Sequence, residues 1–167
     1  MSIRRPLDHP RRRSLKALGL LALGAGGALA QRGALAQGRT LPLSSSLQDE
    51  LAQALKARQP LVVMVSLHRC PWCEEVRNNY LAPMQAQEGL PVVQVDMLSP
   101  AGTRTVQGEP ITHDALVRGW KISMAPTVLF LGAGGKEVAE RLVGGSPDFY
   151  AAYLDNRLAQ ARKAING

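Results

Sequence analysis

The chain has 167 residues, 46% of them hydrophobic, which allows one domain with a buried core and leaves little room for a second. Its formal charge of +7 suggests a polyanion partner only until the charge is located: residues 1–36 hold seven basic side chains and one acid, and the rest carries 13 basic and 12 acidic residues. A body so close to neutrality has no electrostatic footprint for nucleic acid, and no nucleic-acid partner is expected.

The N-terminal segment explains the excess. Arg11-Arg12-Arg13 precedes a Gly- and Ala-rich apolar stretch, Leu15–Ala30, whose only charge is Lys16. Ala28-Leu29-Ala30 and Ala34-Leu35-Ala36 then each offer an A-x-A cleavage site. This is the order of an export signal, and Arg11–Lys16 resembles a twin-arginine signal, with Arg32 near the cleavage region in keeping. The expected organisation is a signal over 1–36, a linker over 37–43 and one domain over 44–167. The expected location is the periplasm, reached by the twin-arginine route. A retained membrane anchor stays open, although the apolar stretch is shorter than the ~20 residues of a spanning helix and glycine dilutes it.

In chain order, Ser45 and Ser46 are candidate N-caps, with Gln48 and Asp49 three residues on. Leu47, Leu51, Ala54 and Leu55 recur at helical spacing up to Pro60. Leu61–Val65 is a continuous, β-branched apolar run and predicts a strand buried on both faces. Cys70-Pro71-Trp72-Cys73 follows, and Glu74–Leu81 reads as the helix it opens. Pro91–Asp96 predicts a second strand, Ser99–Pro110 an irregular stretch, and Thr112–Gly119 a short helix. Thr127–Leu131 and Val138–Val143 predict two more strands around the turn Ala133–Lys136. Ser146 with Pro147 reads as the start of a last helix that carries Phe149, Tyr150, Tyr153, Leu154 and Leu158 toward the core. The order α-β-α-β-α-β-β-α is that of an α/β domain.

The two cysteines carry the chemistry. A bridge across two residues closes a very small loop and removes little entropy from the unfolded chain, so the pair suits opening and closing better than stapling. The thiolate is the nucleophile of disulfide exchange, and an unperturbed cysteine, with pKa about 8.5, is mostly protonated at neutral pH. Cys70 at the start of a helix gains from the helix dipole, by ~0.3–1 kcal/mol. Arg69 and His68 add positive charge nearby, while Glu74 and Glu75 oppose a thiolate. Two other readings stay open for the pair, an inert disulfide and a metal site. His68, Cys70 and Cys73 could form a soft ligand set for Cu(I), which would make the protein a periplasmic copper carrier. A closed zinc site lacks a fourth ligand, and Glu74 stands where haem attachment needs His. His68 and His113 otherwise read as surface groups, and Trp120 as a core residue.

The element order, the CxxC after the first strand, and Ala125-Pro126-Thr127 before the third together resemble the thioredoxin fold over roughly residues 44–162. The nearest likeness is to periplasmic thioredoxin-like thiol–disulfide oxidoreductases, including those that accompany sulfur-oxidation systems. The resemblance implies a mixed four-stranded sheet flanked by helices, a cis Ala125–Pro126 bond facing the cysteines, and no bound cofactor or metal. It implies that Cys70 attacks and Cys73 resolves, while Trp72, Ala125 and Pro126 bind a disulfide-containing protein or small-thiol substrate. A monomer is expected, acting as a reductant recharged by a membrane or periplasmic electron-transfer partner. One departure stands out: thioredoxins hold a buried Asp six positions before the first cysteine, and Met64 occupies that place here.

Overall fold

The apolar runs at 61–65 and 127–131 lie between two layers of helices. The computed structural model describes residues 40–145 and 148–167, which fall in one compact unit, Ala36–Gly167. The signal segment and the cap assigned to Ser146 and Pro147 lie outside the described residues. In chain order the elements are α1 (Leu47–Lys56), β1 (Leu61–Ser66), α2 (Pro71–Val76), α3 (Ala82–Glu88), β2 (Val92–Asp96), β3 (Gly102–Arg104), β4 (Pro110–Thr112), α4 (His113–Gly119), β5 (Thr127–Leu131), β6 (Glu137–Val143) and α5 (Tyr150–Asn166).

The sheet has the order β2-β1-β5-β6, with β1 parallel to β2 and β5 antiparallel to β1 and β6. Val62 and Met64 of β1 face one core, shared with Val76, Leu81 and the α5 residues Tyr150, Leu154 and Leu158. Val63 and Val65 face the other, shared with Leu47 and Leu51 of α1 and Leu116 and Val117 of α4. Covering both faces removes the polar alternation of a half-exposed strand, which is why β1 and β5 read as unbroken apolar runs. Burial of each such side chain contributes roughly 1.5–3 kcal/mol.

Register decides where the chemistry sits. Ser66 pairs with Asp96, Val65 with Thr127, and Thr127 with Val143. The loop after β1, the loop after β2, the entry to β5 and the exit from β6 therefore meet at one edge of the sheet.

Several local features differ from the sequence reading, each for a physical reason. Ser46 caps α1 by accepting from the Asp49 N–H at 3.3 Å, and Glu50, rather than Gln48 or Asp49, reaches back to the Ser45 and Ser46 N–H groups. The helix after the cysteines begins at Pro71 and runs on through a wide π turn, Arg77–Leu81, into α3. Pro83 follows that turn; lacking an N–H and crowding the preceding carbonyl, it disfavours a regular α-helical turn there. The irregular insert folds back as the β3–β4 hairpin, with Thr103 buried against Ser44, Oγ to Oγ 3.0 Å. Leu41 is buried, and Pro42 and Ser44 exchange backbone hydrogen bonds with Gln94, so the domain is already in place within the segment read as a linker. The buried face of α5 is Tyr150, Leu154, Leu158 and Ala161; Phe149 and Tyr153, expected in the core, lie off that face and are exposed.

Candidate active site

Cys70 is the N-cap of α2: its backbone is extended, Pro71 occupies the first turn without an N–H to leave unpaired, and the Cys70 Sγ accepts from the Cys73 N–H at 3.1 Å. Cys70 and Cys73 are joined as a disulfide. The two sulfurs differ sharply in access. Cys73 is fully buried in the first core, whereas Cys70 is half-buried and reachable. A donor aimed at the Cys70 sulfur, at the positive end of a helix, favours that sulfur as a thiolate once the pair is reduced.

Ala125 and Pro126 stand against the pair. The Ala125–Pro126 peptide bond is cis, and the Ala125 carbonyl oxygen lies 3.9 Å from the Cys70 Sγ. In the disulfide that sulfur carries no proton, so this is a contact. Pro126 is held by its own carbonyl, which accepts from the Gly144 N–H at 2.8 Å, and by the Thr127 hydroxyl, which donates to the Met124 carbonyl at 2.7 Å. Trp72 is 52% exposed, and Met124 and Val143, which line one shallow pocket, are exposed as well.

Gly145 is a site residue the sequence reading missed. A Cβ there would lie 3.0 Å from the Trp72 Cβ and 3.3 Å from the Pro126 ring, tighter than an ordinary contact, so any side chain at this position requires Trp72 or Pro126 to give way. The pair Gly144-Gly145 at a strand exit was the available signal.

His113, read as a surface group, is a buried core histidine. Its Nδ1 accepts from the Asp96 N–H at 3.1 Å, which leaves Nε2–H to donate to the Ser44 carbonyl at 2.8 Å. Trp120 is half-buried against the second core, and His68 is exposed. Among the described residues no three His, Cys, Asp or Glu side chains stand together as a metal-ligand set. Met64 is fully buried on the Cys73 side of β1, and among the described residues no Asp or Glu is buried.

The sequence pattern of the thioredoxin-like domain matches residues 47–158. The chain belongs to the thioredoxin-like family. It is a thiol–disulfide oxidoreductase of that family, with Cys70 and Cys73 as its redox pair. Among solved structures it is similar to a DsbH oxidoreductase, with TM-score 0.52 and 18% identity over 75% of this chain and 88% of that one. It is also similar to thioredoxin O2 from Arabidopsis thaliana in the oxidized state (0.47, 15%, 68% and 93%) and to the periplasmic thioredoxin SoxS from Paracoccus pantotrophus in the reduced form (0.41, 20%, 62% and 99%). At these identities the likeness concerns the fold alone. No curated protein matches the chain.

Proposed function

We propose that this thioredoxin-like protein works outside the cytoplasm as a reductant of protein or small-thiol disulfides. Cys70 attacks the substrate and Cys73 resolves the mixed disulfide; Trp72, Ala125 and Pro126 form the substrate-binding surface. The observation that carries this reading is the unequal access of the two sulfurs. A reachable, helix-capping Cys70 suits intermolecular attack, and a buried Cys73 can reach only the sulfur beside it. An extended substrate segment would pair with the backbone of Ala125 by adding a strand. Export rests on the basic and apolar order of residues 1–36, by a twin-arginine-like signal, and among the described residues no helix is long and apolar enough to cross a membrane. Electrons then come from a membrane or periplasmic partner, because the periplasm is kept oxidising.

Trapping tests the roles. Cys73→Ser should accumulate mixed disulfides on Cys70, and Cys70→Ser should abolish exchange and trap nothing; equal trapping by both variants refutes the assignment. Equilibration with glutathione tests direction. Glu74 and Glu75 limit stabilisation of the thiolate, so the couple should lie at about −200 to −270 mV; a value near about −120 mV would make the protein a disulfide donor.

A further inference from the structure

A polar groove of about 480 Å³ lies on the far side of the cysteine loop from Pro126, at the C-terminal ends of β1 and β2. That size is within the roughly 300–1,000 Å³ of small-molecule sites. Its lining includes Arg69, Glu74, Arg77, Gln94, Asp96 and Leu98. Arg69 directly precedes Cys70 and Glu74 directly follows Cys73, so the groove flanks the cysteine loop, although neither cysteine lines it.

The Arg77 guanidinium is pinned, but by neutral groups. Its Nε donates to Gln94 Oε1 at 2.8 Å and its Nη2 to Ser66 Oγ at 3.1 Å, while Gln94 Nε2 donates to Asp96 Oδ1 at 2.7 Å. The four ion pairs among the described residues do not include Arg77. A fixed guanidinium with no carboxylate partner and N–H groups to spare is prepared for a carboxylate. Glu74 and Asp96 line the same groove and suit an ammonium.

We propose that this groove binds the zwitterionic end of a small amino-acid-derived disulfide undergoing exchange at Cys70. Arg77 and Arg69 would receive its carboxylate, and Glu74 and Asp96 its ammonium. The inference rests on the exchange activity proposed above. The reduced pair gives two electrons: Cys70 thiolate breaks the substrate S–S bond, forming a mixed disulfide and releasing one thiolate. Cys73 then attacks the Cys70 sulfur, closing the Cys70–Cys73 bond and releasing the second. The two protons of the dithiol end on the two product thiols.

The test uses the full chain, reduced, against four disulfides: L-cystine, cystamine (ammonium only), 3,3′-dithiodipropionate (carboxylate only) and uncharged bis(2-hydroxyethyl) disulfide as the reference. The wild type should prefer cystine to the reference. Arg77→Met should lower the kcat/KM ratio of cystine to reference about tenfold, through KM, and lower that of dithiodipropionate likewise, while the cystamine ratio holds. Arg77→Lys should restore part of the loss. Arg69→Gln, on an exposed side chain that does not threaten folding, should move the ratios the same way by a smaller factor. Flat specificity in the wild type, or ratios unmoved by both Arg77→Met and Arg69→Gln, would overturn the groove. Failure to reduce any of the four while insulin is still reduced would overturn this inference alone; failure on insulin as well would overturn the reductant reading, and this inference with it.

Discussion

The two flanks of the cysteine loop are built from opposite materials. On the β5–β6 side the exposed side chains are the apolar Trp72, Met124 and Val143, with Pro126 and Gly145 buried, and the geometry is held by bonds to main-chain carbonyls, from the Gly144 N–H to Pro126 and from the Thr127 hydroxyl to Met124. On the β1–β2 side the geometry is held by side chains, Arg77 to Ser66 and Gln94, and Gln94 to Asp96. An apolar flank shaped by backbone accepts many sequences, because it reads surface and main chain; a flank of fixed charges reads functional groups in fixed positions. With the groove binding as proposed, Cys70 serves a tolerant flank on one side of its loop and a selective one on the other.

The largest expected effect comes from placing charge beneath the apolar flank. Met64→Asp would bury a carboxyl in the core beside Cys73, with no partner there, at a cost of about 2–4 kcal/mol at neutral pH. Burial raises the pKa of the new carboxyl in the folded state above its unfolded value of about 3.9, so the penalty is small below that pH and grows as pH rises through it. Denaturant unfolding at pH 3.5 and 7 checks this. In the same variant, faster resolution of the mixed disulfide would show that a proton acceptor for Cys73 is what Met64 lacks; an unchanged pH profile would show that none is needed.

A smaller effect is expected from crowding the tolerant wall. Gly145→Val should drive side-chain atoms into Trp72 and Pro126, with a strain of roughly 1–3 kcal/mol. Exchange with a protein disulfide should fall about tenfold or more, measured by turbidity of reduced insulin. Retention of the full rate would show that the loop after β6 does not shape this flank.

The smallest effect concerns a polar atom left inside the apolar side. The Tyr150 hydroxyl is buried without a hydrogen-bond partner among the described residues, its ring against Tyr80 at 5.0 Å between centroids. Burial pushes its pKa upward, with the neighbouring Tyr80 adding to the shift. The folded state therefore holds this proton longer than the unfolded one, and the stability it contributes is complete below about pH 10 and falls as pH rises beyond it. Tyr150→Phe should change stability at pH 7 by less than about 1 kcal/mol and remove that part of the alkaline decline. Thermal melts at pH 7 and pH 10.5 measure both.

Much of this was legible in the residues themselves. β1 and β5 announce themselves as apolar runs because both faces of the sheet are covered there, and α1 by the spacing of Leu47, Leu51 and Ala54 behind a Ser46 cap. Cys70-Pro71-Trp72-Cys73 specifies its own local structure: a capping side chain, a proline for the first turn and a short spacing. The β3–β4 hairpin was not legible, since three-residue strands leave no periodicity to read. Its place depends on contacts such as Thr103 to Ser44, 59 residues apart.

The sequence by itself determined the family, the redox pair and the elements that carry it, because those depend on neighbours in the chain. Tertiary structure decided which sulfur is reachable, that His113 is buried between Asp96 and Ser44, that Gly145 closes on Trp72 and Pro126, and that Arg77 lines a groove without an ion pair among the described residues. Each of these depends on strand register, which brings residues far apart in sequence to one edge of the sheet, and no local pattern records that meeting.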